Sequence, residues 1–223
     1  MPPPPATLES PAQELPVLEF PPDEVKVIRW PDPAPWGGLR KAMTKEDFET
    51  RDWNEGNLAC TWKFEFNNGY AEAGEERMRL NEIRFMKHLP GAFSASPYGK
   101  SGDSMFPEVE IWLSEHQMRK PDFCVLTAAQ MVEADKGGCP IPKFMIEVVS
   151  PSDQSNYHDQ KLIDYFKAGV EVVWHVNPRL EMVVIYISPN DGEIMHGDDI
   201  CTAAPAFPEF QIKACDVFAA LKL

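Results

Sequence analysis

The order of apolar patterns along this chain predicts an α/β (α+β) fold, with a mixed β-sheet core flanked by helices and an N-terminal hairpin. Three observations carry that expectation. Trp62, Phe64 and Phe66 alternate with Lys63 and Glu65, the period-2 mark of a strand, and Asn67-Asn68-Gly69 follows as a turn tolerant of positive φ. Phe144 to Val149 is an almost unbroken apolar run, the pattern of a strand buried on both faces. A helical stretch separates it from the β-rich Val170 to Val176, giving a strand–helix–strand unit.

Residues 1–41 read as a Pro-rich extended or disordered arm, and residues 42–223 as a single domain. The first 40 residues hold 11 of the 22 prolines, and proline removes backbone donors that ladders and helices need. Thr44 followed by Glu46 and Asp47 predicts a helix start, with a short helix to about Asp52. The hairpin's second strand runs from Tyr70 to Ala73. A helix is expected over 75–88, with Leu80, Ile83, Phe85, Met86 and Leu89 inward, Arg77, Arg79, Arg84 and Lys87 outward, and a stop at Pro90-Gly91. Val109, Ile111 and Leu113 mark a strand, and Phe123 to Leu126 another, entered through Pro121-Asp122. Ser150 or Ser152 caps a helix running to about Lys167, and Gly169 suits its C′ position. Val170 to Val176 and Met182 to Ile187, joined by Asn177-Pro178, are expected to pair antiparallel. A short terminal helix is predicted near Val217 to Leu221.

The 223 residues suffice for one well-cored domain. No apolar run approaches the roughly 18 residues that cross a bilayer, and no basic-then-apolar leader opens the chain. Five scattered cysteines form no CxxC pair, so neither a disulfide framework nor a structural zinc site is signalled, and a reducing cytoplasm is expected. The five histidines show no HExxH spacing. A net charge of −14 argues against a broad, non-specific grip on nucleic acid, because phosphate neutralisation needs excess Lys and Arg. Any such contact has to be a local basic strip.

Glu147 is the most informative residue. A carboxylate inside a buried apolar run is costly unless it is paired, protonated or bound to a cation. Asp122 stands at the mouth of another predicted strand, and neighbouring strands lie about 4.8 Å apart, so both carboxylates can share one metal ion. Lys161 lies on the helix that follows Glu147, near the face of Tyr157 and Asp164. Most helix lysines are solvated, and periodicity alone does not separate Lys161 from that background.

Arg119-Lys120-Pro121-Asp122, Ile146 to Ser152, Lys161-Leu162, Tyr165, Gly169-Val170, Trp174 and Asn177-Pro178 form an ordered set. It resembles the large bacterial restriction endonuclease family, especially expanded in cyanobacteria, within the PD-(D/E)xK nuclease superfamily, over roughly residues 60 to 220. The resemblance implies a restriction-endonuclease-like core and Mg²⁺- or Mn²⁺-dependent cleavage of DNA, commonly by a homodimer. It implies Asp122, Glu147 and the Val148 carbonyl as metal ligands, with Lys161 assisting the attacking water. The chain departs from the superfamily pattern at Val149, where the lysine would stand, and at Tyr157, one turn before Lys161, where an acid is frequent. Gln160 is a second polar candidate on that helix, and Asp153, Asp159 or Asp164 are substitutes for the missing acid. Glu82 or Glu75, and Glu65 on the hairpin, are further candidate carboxylates for the site. Arg119, Lys120 and Lys143, with Arg79 and Arg84, are the basic strip expected to meet nucleic acid. The alternative reading is a catalytically inactive binding module that keeps the nuclease fold. A hydrolase of other phosphodiesters ranks third.

Overall fold

The computed structural model describes residues 27–28, 39–51, 62–75, 80–149 and 155–219. In chain order, β1 (Val27–Ile28) and β2 (Leu39–Ala42) precede α1 (Lys45–Thr50), whose N-cap Thr44 accepts a hydrogen bond from the Asp47 amide at 3.0 Å. β3 (Trp62–Asn67) turns through Asn68 and Gly69, at φ 48° and 82°, into β4 (Tyr70–Glu75). Two positive φ values in succession are what a two-residue hairpin turn demands. Then come α2 (Leu80–Ala95), α3 (Pro97–Lys100), β5 (Ser104–Pro107), β6 (Ile111–Ser114), β7 (Gln117–Arg119) and β8 (Phe123–Leu126). They are followed by α4 (Ala128–Asp135), β9 (Phe144–Val148), α5 (Ser155–Ala168), β10 (Val172–Asn177) and β11 (Met182–Ser188). β12 (Asp191–His196), β13 (Ile200–Ala203), β14 (Phe207–Lys213) and α6 (Ala214–Val217) complete the described chain.

The central sheet runs β12-β11-β10-β9-β8-β5, with β9 and β10 parallel across the α5 connection and the other pairs antiparallel. A second sheet, β1-β2-β4-β3-β7-β6, carries the hairpin, and β13 pairs with β14. Side-chain alternation assigns the faces of the central sheet. Phe144 and Ile146 of β9 join Phe123, Val125 and Trp174 in one core with Leu89 and Phe93 of α2. Met145, Cys124 and Val173 point the other way and pack on Leu162 and Tyr165 of α5. By the same parity, Asp122 and Glu147 face α5. A third cluster, Phe64, Phe66 and Met118 with Phe48 of α1, backs the second sheet.

Several expectations shift. Residues 1–26 and 29–38 of the expected arm lie outside the described residues. Val27–Ile28 and Leu39–Ala42 are strands, pairing Val27 with Lys41 and Leu39 with Ala73, so the second sheet begins before residue 42. Prolines are absent from these two short segments. Helix α2 does not stop at Pro90-Gly91 but runs through Pro90 to Ala95. Proline there removes one backbone hydrogen bond, and Leu89 and Phe93, one turn apart and fully buried, anchor the helix on either side of it. α4 was not among the expected elements, although Thr127-x-x-Gln130 closes a reciprocal capping box at its start. Among the described residues no helix is long and apolar enough to cross a membrane, and Cys124, Cys139, Cys201 and Cys215 are free thiols.

Candidate active site

The ladder between β8 and β9 pairs Phe123 with Ile146, and one step further along the same antiparallel register sets Asp122 opposite Glu147. The Val148 amide donates to Asp122 Oδ2 at 2.6 Å, and Lys63 Nζ lies 2.7 Å from Asp122 Oδ1. Glu147 is 2% exposed. The Tyr165 hydroxyl donates to its Oε1, and Lys161 Nζ approaches its two oxygens at 3.4 and 3.5 Å. Lys161, also 2% exposed, makes its shortest described ion pair to Glu65 Oε1, at 2.8 Å. Helix spacing explains the convergence on α5: Lys161 and Tyr165 are four apart and share one face. Strand spacing explains the other side, since Lys63 and Glu65 are two apart on β3.

Behind this site lies a second layer. Arg119 is 1% exposed and bridges Glu65 and Glu72, each at 3.0 Å, and Asp164 at 2.8 Å. Gln117 donates to Asp164 Oδ2 at 2.7 Å and Gln160 to Asp164 Oδ1 at 2.9 Å. Arg119 therefore does not lie on a surface strip: three buried carboxylates take its guanidinium. Gln160 turns to Asp164 rather than to Glu147. Lys120 is half-buried and its backbone amide donates to Glu65 Oε1 at 3.0 Å. Lys143 is exposed and pairs with Glu171 at 3.0 Å. It precedes β9 at the end opposite Glu147, some 13 Å away along the strand by the usual rise per residue. The Glu75, Glu82 and Arg84 side chains, Arg79 and Asp153 lie outside the described residues. Asp159 is exposed, and Asp164 is occupied by Arg119.

The electrostatics follow from burial and partners. Desolvation pushes the carboxyl of Glu65 up, but Lys161, Arg119 and Lys63 together outweigh it and hold it well below the usual carboxylate range. Asp122 is likewise lowered, by Lys63 and Lys161 against its own desolvation. Glu147 goes the other way: burial, with Asp122 and Glu65 adding to it, exceeds the pull of Lys161 and Lys63 and raises its pKa. Lys63 and Lys161 resist the lowering effect of burial because facing carboxylates hold both above the normal lysine value.

The donor set fits a divalent cation. Among the described residues, five carboxylates (Glu65, Glu72, Asp122, Glu147 and Asp164) and three cationic side chains (Lys63, Arg119 and Lys161) form one ion network, and Asp122 and Glu147 offer such a cation hard oxygen donors. His175 stands beside Glu147 across the parallel ladder, and its buried Nε2 finds no hydrogen-bond partner among the described residues. Burial, then His158 and Lys161, push His175 down to about 3, so its imidazole is neutral. Its ring lies 5.4 Å from that of His158, a pairing that sequence spacing concealed. Among the described residues no three His, Cys, Asp or Glu side chains converge to hold an ion unaided. Magnesium commonly takes only one or two carboxylates and keeps its remaining places for water and phosphate.

The raised pKa of Glu147 carries a testable sign. Its native carboxyl holds a proton that the unfolded chain releases near 4.5, so stability falls as pH rises through 4.5 toward the native value. Glu147→Gln, which mimics the protonated form, is expected to raise the metal-free melting temperature at neutral pH. A lower melting temperature would show that the ion pair to Lys161 outweighs desolvation.

Residues 62–217 match the family described as "Uma2: Putative restriction endonuclease". The chain belongs to the Uma2 family. The Uma2 match takes in Lys63, Glu65, Asp122, Glu147, Lys161 and Tyr165, so the whole cluster lies within it. No curated protein matches the chain. Among solved structures, "a putative nuclease belonging to DUF820 from Anabaena variabilis ATCC 29413" superposes with a TM-score of 0.65 at 16% identity. The likeness covers 80% of this chain and 99% of that one. The fold of this Uma2 chain is thus restriction-endonuclease-like: a mixed sheet flanked by helices, with the hairpin sheet laid over its α5 side.

Proposed function

We propose that this chain is a metal-dependent endonuclease that hydrolyses phosphodiester bonds of DNA, working in the cytoplasm as a homodimer. The observation that carries the reading is the placement of Asp122 opposite Glu147 at adjacent strand ends, with Lys63 and Lys161 beside them. Asp122, Glu147 and the Val148 carbonyl would hold Mg²⁺ or Mn²⁺, all hard oxygen donors. A bound ion supplies Lewis acidity, lowering the pKa of water and offsetting charge on phosphoryl oxygens. Water adds to phosphorus, the bond to one sugar oxygen breaks, and that oxygen leaves with a proton. Lys161 fixes the orientation of Glu147 and sets positive charge beside the attacking water. Tyr165 holds Glu147 from the helix side, and Glu65 keeps Lys161 in place.

The acidic surface confines DNA contact to a small area. Of the basic residues named from the sequence, Lys120 adjoins the site and is only half-buried, so it is the member of the strip that reaches DNA. The test is supercoiled plasmid incubated with purified protein in Mg²⁺ or Mn²⁺, beside the same mixture in EDTA. Nicking in metal alone is expected. No nicking at low salt, together with no Mn²⁺ binding, favours the inactive module.

A further inference from the structure

Lys63 is the site group that neither the motif pattern nor the family resemblance assigns. Its position differs from that of Lys161 in a way that divides their labour. The Lys63 and Asp122 side chains keep 15% and 22% of their surface accessible, whereas those of Lys161 and Glu147 keep 3% each. The cluster therefore has a sealed floor and an open rim, and Lys63 is the cation on the rim. A hydrated phosphodiester meets the rim first.

The partners point the same way. Lys161 lies between Glu65 at 2.8 Å and Glu147 at 3.4 Å, so its withdrawal would take a cation from two buried carboxylates at once. Lys63 contacts Asp122 through Oδ1, while Oδ2 is separately held by the Val148 amide at 2.6 Å. Lys63 can withdraw without leaving Asp122 unsatisfied. Its four-carbon stem and point charge suit exchange between two oxygen anions. Val149 stands where the superfamily pattern places a lysine, so β9 itself brings no ammonium to that position.

Building on the nuclease reading above, we propose that Lys63 is the lysine that contacts the scissile phosphodiester, exchanging Asp122 Oδ1 for a non-bridging phosphoryl oxygen. Lys63 is then a catalytic residue, and Lys161 a residue that positions Glu147 and the water.

The experiment compares wild type, Lys63→Met and Lys63→Arg in the full chain, with circular dichroism as the folding control. Three readouts are taken: single-turnover plasmid nicking in Mg²⁺, anisotropy of a labelled DNA duplex in Ca²⁺, and Mn²⁺ titration. Lys63→Met is expected to nick about 10²-fold more slowly, the loss typical of one transition-state charge contact. It is expected to bind the duplex more weakly and to bind Mn²⁺ no less tightly than wild type. Lys63→Arg, which keeps the charge, is expected to retain a tenth or more of the rate, and it carries the test should the Met variant fail to fold. Wild-type nicking by Lys63→Met, or Arg as slow as Met, overturns the assignment and leaves the nuclease reading standing. Loss of Mn²⁺ affinity in Lys63→Met also overturns it, making Lys63 a support for Asp122 instead. A wild type that neither nicks nor binds the duplex overturns both readings together.

Discussion

Asp122→Ala is expected to lower metal-dependent nicking on the order of 10³-fold, more than any other single change in the site, since it removes a metal ligand and a local charge together. Asp122 is the carboxylate on the open side of the cluster, at 22% exposure, and Lys63 and Lys161 hold its pKa below the usual aspartate value against its desolvation. The substitution also removes Lys63's described ion-pair partner. The Ala variant should therefore fold, because both freed groups, Lys63 Nζ and the Val148 amide, lie near enough to solvent to be hydrated. A stability loss well under the cost of a fully buried pair is expected by urea denaturation. Nicking that persists at a tenth of the wild-type rate would mean that Asp122 is not a ligand.

Arg119→Met is the change expected to damage the fold most. It leaves Glu65, Glu72 and Asp164 without the guanidinium that bridges them at 2.8 to 3.0 Å. Removing one partner from a buried ionic cluster typically costs about 3–5 kcal/mol, and equilibrium urea unfolding reads it directly. The pH dependence is fixed by Glu65, whose native pKa lies far below its ordinary 4.5. A depressed carboxyl stabilises above the unfolded pKa, and that stability is lost as pH falls through the native one. The gap between wild type and Arg119→Met should therefore be full at neutral pH and narrow below about 4.5. A gap independent of pH would assign the loss to packing of the side chain instead. Because Glu65 anchors Lys161, the same variant is expected to lose nicking as well as stability.

How much of this was readable from residues alone depends on how local each signal is. Glu147 stood out because a charge in an apolar strand is costly and must have a reason, Asp122 through its place at the mouth of a predicted strand, and Lys161 only through the family resemblance. β8, β9, β10 and β11 were legible through their apolar runs, and the hairpin through Asn68-Gly69. Glu65 was visible only as one possibility, since period-2 alternation normally separates a core face from a wet one. β3 is covered on both sides instead: Phe64 and Phe66 pack toward α1, and Lys63 and Glu65 toward α5. Nothing in the strand's own sequence reports the second cover. Arg119 misled for a related reason. Arg119-Lys120 reads as a solvated basic pair, and the carboxylates that bury it lie 45 to 54 residues away along the chain. Helix α2 passed its proline because Leu89 and Phe93 pack into the main core, a tertiary effect that local propensity does not contain.

The claim that Asp122 and Glu147 form a divalent-metal centre is tested most directly by calorimetric titration of Mn²⁺ into the metal-free protein, beside Asp122→Ala. If these carboxylates hold the ion, wild type takes up Mn²⁺ with protons released from the cluster, and Asp122→Ala loses that affinity while remaining folded. Equal Mn²⁺ binding by both proteins would place the ion elsewhere and leave the cluster as a structural ion network.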